Sequence, residues 1–138
     1  MKSVFALITR IALIAIVALV SAQLATAHHS FAGTYDAAKE ITIKGKIIEV
    51  SLRSPHSFFF VESEDASGKA QRWSIEGASA SQFAQQGVTR DALKVGDPVE
   101  VVGNPARSMT MGFRARLLKI TRTTDGWSWG TRTGEQVQ

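Results

Sequence analysis

Between Ile41 and Leu52 the apolar residues change sides. Ile41, Ile43 and Ile47 occupy odd positions with Gly45 among them, and from Ile48 the set is even: Ile48, Val50, Leu52. Side chains alternate along a strand with period two, so a run changes faces only through an extra residue or a sharp coil. A bulge or bend is therefore expected near Gly45–Ile48. One long, bent first strand is what a small closed barrel needs when that strand must serve both halves of the sheet.

The rest of the chain fits that start. Ser54-Pro55-His56 breaks the pattern, and Ser57–Glu62 reads as a second strand that is apolar on both faces in its middle. Glu64–Lys69 is a hairpin loop with Gly68 near its end, and Gln71–Glu76 alternates with Trp73 and Ile75 inward. The period then changes. Ser79 or Ser81 can cap a short helix over Ala80–Gln86, with Phe83 as its buried contact and Gly87 as its terminator. Thr89 caps a further turn, Val95–Pro98 is a tight turn, and Val99–Gly103 and Phe113–Thr123 are the fourth and fifth strands. Three strands, a helix and two strands, with a coiled first strand, is the order of an OB-fold. The fold class is mainly β: a small five-stranded OB-like barrel with a short helix between strands three and four. A β-sandwich or an open SH3-like barrel is the alternative.

Residues 1–27 read as an export signal. Lys2 and Arg10 supply the positive region, Ile11–Val20 the apolar run and Ala25-Thr26-Ala27 the small-residue cleavage site. The run is about half of the ~20 residues a spanning helix needs, so no permanent membrane span is expected after cleavage. An earlier cut before Gln23 is the alternative to a cut before His28. The domain reading is 1–27 signal peptide, 28–40 N-terminal arm, 41–124 OB-like barrel and 125–138 C-terminal tail. The expected location is periplasmic or secreted. There is no cysteine, so an exported chain of this kind must rely on its own core.

Removing the signal leaves 14 basic against 12 acidic residues, a net charge of +2, so the basic composition is weak evidence for a polyanion partner. Nucleic-acid binding needs a basic groove interleaved with aromatics, and an exported protein is not expected to meet nucleic acid. Phe58 and Phe60 lie on the strand face opposite Phe59 and Val61, and Phe31 and Tyr35 of the arm are expected to cover whichever pair lies outside. Trp127 and Trp129 flank Ser128 and project to one side of an extended tail, to close the barrel end or to meet a partner. No nucleophilic cysteine, H-E-x-x-H or phosphate-cradling glycine loop is present, and no Ser-His-Asp arrangement stands at family-typical spacing. No enzymatic activity is expected.

The chain has three histidines, His28, His29 and His56. A cut before His28 gives a mature terminus whose α-amine and imidazole can chelate copper together, with His56 as the candidate third nitrogen unless His29 swings round. Imidazole and amine nitrogens suit Cu(II), and thioethers suit Cu(I). Met109 and Met111 lie two apart, on one side of an extended segment. The candidate metal residues are therefore His28, His29, His56, Met109 and Met111, and copper is the candidate ligand.

Two resemblances bear on this. H-H-S-F at 28–31, G-K-I-I-E-V at 45–50, S-P-H at 54–56, W-S-I-E at 73–76 and G-V-T-R-D-A-L-K-V-G-D at 87–97 resemble small exported bacterial proteins grouped as domain-of-unknown-function family 6152. The usual member is similar in having Asn before the Pro-His pair, where this chain has Ser54. The resemblance implies export and a single β domain and brings no activity. Met109-Thr110-Met111-Gly112-Phe113 resembles the M-T-M-x-F segment of periplasmic copper chaperones, which are small OB-type barrels. In those proteins one histidine and two methionines bind cuprous ion beneath a tryptophan; here position 106 is Ala where that tryptophan would fall. The reading is an exported, non-enzymatic binding module with copper as its candidate ligand. The competing reading is a metal-free structural or interaction module of the cell envelope, presenting Trp127, Trp129 and the Arg114/Arg116 face to a partner protein.

Overall fold

The computed structural model describes residues 33–110 and 112–131. His28, His29, Met111 and Phe31 lie outside the described residues, as does the segment read as an export signal. Of the described residues, 35–110 and 112–131 lie in one compact unit. Its elements are β1 (Ile41–Ser51), β2 (Phe58–Glu64), β3 (Ala70–Glu76), α1 (Ala80–Gln85), β4 (Pro98–Pro105), β5 (Phe113–Arg122) and β6 (Ser128–Gly130).

β1 is the shared wall that its pattern demands. Its first half, Ile41 to Lys46, pairs antiparallel with β4, and its second half, Lys46 to Ser51, pairs antiparallel with β2. The β1–β2 register shifts between Ile47 and Glu49, so Ile48 is the extra residue. Ile43 and Ile47 therefore point inward before the bulge and Val50 and Leu52 pack on the core after it. β2 pairs with β3, and β3 closes the barrel by pairing parallel with β5, Trp73 opposite Phe113 and Glu76 opposite Arg116. The result is a closed five-stranded OB-like barrel with one short helix between β3 and β4. Closure leaves few free edges, which suits a chain without disulfides.

Glycine permits the tight handover in β1. A Cβ on Gly45 would sit 2.1 Å from the Glu62 carbonyl oxygen, so no other residue lets the two backbones approach this closely. α1 carries a capping box: the Ser79 hydroxyl accepts from the Gln82 backbone N–H, and the Gln82 side chain accepts from the Ser79 N–H. Phe83 of α1 plugs the barrel end, edge-on to Phe59 at 5.6 Å, and Gly87, at φ +78°, ends the turn.

The segment expected as a tail adds a sixth strand. β6 pairs with β5 from Lys119 to Thr121, along the β5 edge beyond the reach of β3. Trp129 packs on Phe83 at 4.6 Å and donates to the Gln86 side chain, while Trp127 lies 5.7 Å beneath the Arg122 guanidinium. Both tryptophans serve packing. Among the described residues no helix is long and apolar enough to cross a membrane.

Candidate functional site

Residues directly opposite in a ladder share a face. Phe58, Glu76 and Arg116 therefore line one row of the outer wall, and Phe60, Ser74 and Arg114 the next. Alternation alone makes Glu76 an ordinary solvent-facing end of β3. Instead it is buried, at 8% exposure, on the outside of the barrel.

Three elements converge on its carboxylate. The Tyr35 hydroxyl donates to Oε2, His56 Nδ1 donates to Oε1 at 2.5 Å, and Arg114 Nη2 stands 3.8 Å from Oε2. Tyr35 reaches it because the preceding arm is laced to the β4 end of the barrel. It bridges to Ala106, Asp36 N–H donates to the Pro105 carbonyl at 2.9 Å, and Asn104 Nδ2 donates to the Lys39 carbonyl at 2.8 Å. His56 reaches it from the β1–β2 loop, whose Ser54-Pro55 bond is cis. That loop is held by Ser57, wholly buried, whose N–H donates to the Ala78 carbonyl and whose carbonyl accepts from Gly77.

A buried carboxylate is tolerable only when paired and hydrogen-bonded. Here two hydrogen bonds and a guanidinium supply that. Burial first, then the hydrogen bond to Glu76, pushes the Tyr35 phenol far above its ordinary value, so it stays protonated and acts as a donor. It is no phenolate ligand. With Glu76 on Nδ1, the His56 ring is fixed in tautomer and orientation, and a metal would meet it through Nε2. A carboxylate behind a ligating histidine is the usual outer-shell partner at metal sites.

Of the metal candidates, the structure describes two, His56 and Met109. His56 stands at the Glu76 end of β3. Met109, 39% exposed, lies in the β4–β5 loop that enters β5 at Phe113, opposite Trp73. Glu76 is three residues further along β3, about 10 Å at ~3.3 Å per residue, and on the other face. Among the described residues, no three His, Cys, Asp or Glu side chains come together in a metal-binding group. Tyr35, expected over the outward Phe pair, is bonded to Glu76, the cross-strand partner of Phe58. Phe58 and Phe60 stack at 6.4 Å on that outer face, half buried, and Arg72 lies 4.7 Å over the Phe60 ring.

Glu76 and Tyr35 are the site residues that sequence reasoning passed over. The W-S-I-E run contains Glu76, but nothing local distinguishes a solvated strand end from one that two distant segments will cover.

A family model described as a family of unknown function matches residues 15–114. No curated protein matches the chain. Among solved structures, the chain is similar to the mitochondrial single-stranded DNA binding protein Rim1 of S. cerevisiae, at 15% identity and a TM-score of 0.45, covering 60% of this chain and 91% of that one. It is also similar to the N-terminal domain of PriB from Thermoanaerobacter tencongensis, at 21% identity and a TM-score of 0.41, covering 61% of this chain and 94% of that one.

Proposed function

The chain belongs to that family of unknown function, DUF6152, and on this premise we propose an exported, non-enzymatic binding module whose ligand is copper. His28, as the mature terminus, contributes amine and imidazole, and His56 contributes a third nitrogen through Nε2. One observation carries the reading: His56 is held through Nδ1 by a buried carboxylate, as outer-shell partners hold ligating histidines. Imidazole and amine donors suit Cu(II). Met109 and Met111 are candidates for a cuprous ion only. Bound copper would give the module a cargo or a redox centre.

The competing interaction module would present Trp127, Trp129 and the Arg114/Arg116 face to a partner. Trp129 and Trp127 are engaged by Phe83, Gln86 and Arg122, and Arg114 by Glu76, which favours the copper reading. A nucleic-acid ligand is not expected of an exported protein, and Arg72, Arg114 and Arg122 each face a carboxylate.

The test is a Cu(II) titration of the mature protein, its His28 terminus verified by mass spectrometry, against a competing chelator. One tight equivalent is expected. In His56→Ala the affinity should fall to that of a short His-His amino-terminal peptide measured alongside. Binding no tighter than the peptide in the unmodified protein would remove the copper site and leave the interaction module.

A further inference from the structure

A second feature shares the β1–β2 loop with His56. A cleft of about 300 Å³ opens at the end of β1 and is lined by Val50, Ser51, Leu52, Arg53 and Arg90. Val50 and Leu52 are half buried against the barrel core, and most of the wall that the cleft exposes is polar. Arg53 and Arg90 supply charge. Among the described residues neither has a carboxylate partner, whereas Arg72, Arg114 and Arg122 each do. Another cavity, of about 330 Å³, sets Lys44 and Lys46 against Glu62 and Glu64, whose charges cancel.

Arg53 is also oriented. Its Nε donates to the Ser51 hydroxyl at 2.7 Å, and its backbone is tied at both ends: the N–H donates to Ser57 Oγ and the carbonyl accepts from the Ala80 N–H. A guanidinium held through Nε keeps its two terminal nitrogens for a ligand. Two guanidinium groups on one cleft repel each other unless an anion lies between them. Arginine pairs planar oxyanions through parallel N–H···O bonds.

We propose that the Arg53–Arg90 cleft binds a phosphate group carried on a small polar compound. The two arginines take its charged end. A volume near 300 Å³ is at the small end of ligand sites. Two sources share this chemistry, a free phosphomonoester and the headgroup of an anionic lipid.

Glycerol phosphate is titrated into the mature protein at low ionic strength, following the Arg side-chain N–H resonances and the melting temperature. In parallel the protein is sedimented with phosphatidylglycerol vesicles and with phosphatidylcholine vesicles. The expected result is saturable shifts at Arg53 and a higher melting temperature, by mass action. Arg90→Gln and Arg53→Gln should each weaken binding by about tenfold, as losing a charge-assisted bond does. Both side chains lie at the surface, so both variants should melt close to the unmodified protein when no ligand is present. Cosedimentation with phosphatidylglycerol alone, lost in Arg90→Gln, identifies the lipid source; glycerol phosphate binding without cosedimentation identifies the free compound. Binding indifferent to both substitutions, or binding to neither probe, overturns the proposal.

Discussion

Tyr35 and Glu76, 41 residues apart in sequence, are bonded phenol to carboxylate on the outer wall of the barrel. The bond ties the arm to β3 at the point where the β1–β2 loop delivers His56 to the same carboxylate. Three segments that share no local sequence signal thus meet on one buried charge, which orients the imidazole that the copper reading needs.

Removing the Tyr35 hydroxyl should cost stability. Tyr35→Phe leaves Glu76 buried with one donor fewer, and a penalty of about 1–3 kcal/mol is expected. Urea denaturation monitored by tryptophan fluorescence measures it. A loss below about 0.3 kcal/mol would mean that Glu76 does not depend on this bond.

The same residue predicts an alkaline signature. Its folded phenol ionises far above the ordinary value of 10.0, so between the two values the unfolded chain holds fewer protons than the folded one. Stability should therefore be complete below pH 10 and fall as pH rises above it. Melting temperatures from pH 8 to 11 should decline more steeply in the unmodified protein than in Tyr35→Phe, and parallel slopes would contradict this.

At the other end of the barrel, Arg122 donates to both Asp125 oxygens at 2.9 and 2.8 Å, to the Ala92 carbonyl and to Asp97. The Arg122 hydrogen bonds and the Trp127 N–H hold the Asp125 carboxyl down at about 2 from the ordinary 3.8. The sign is the reverse of that for Tyr35. This contribution is present above pH 3.8 and is lost as pH falls toward 2. Asp125→Asn should melt lower at pH 6 and nearly coincide with the unmodified protein at pH 2, with circular dichroism as the readout.

Gly45→Ala tests the strand handover. Its Cβ would fall 2.1 Å from a backbone carbonyl oxygen, which cannot yield as a flexible side chain does. A loss of about 2–3 kcal/mol is expected from overpacking, read as a lower urea midpoint. Gly33→Ala, where nothing lies within 4 Å, is the control and should be near neutral.

Trp129→Phe and Trp129→Ala separate the two contributions of β6. The phenylalanine variant loses the bond to Gln86 and a part of the ring, and should cost about 1–2 kcal/mol. The alanine variant also loses the contact with Phe83, and about 3 kcal/mol is expected. Equal losses in the two would show that the ring contact contributes nothing.

Much of the barrel was legible along the chain because its causes are local. The change of apolar parity at Ile48 announced the bulge found between Ile47 and Glu49, since side-chain alternation leaves no other way to keep both halves of β1 facing the core. Ser79, Phe83 and Gly87 marked a cap, a plug and a stop, each through chemistry within a few residues. β6 was not legible: Ser128–Gly130 is too short for a periodic signal, and the β5 edge that receives it exists only once β3 has closed the barrel.

The candidate site divides along the same line. His56 and Met109 stood out as residue types, and by itself the sequence determined the strand faces, the cap and the inventory of metal-binding side chains. Only the tertiary structure decided that Glu76 is buried and that Tyr35, His56 and Arg114 surround it. The physical reason is range. Periodicity and capping act within one element, whereas the desolvation of a carboxylate and the donors that offset it come from segments brought together by barrel closure.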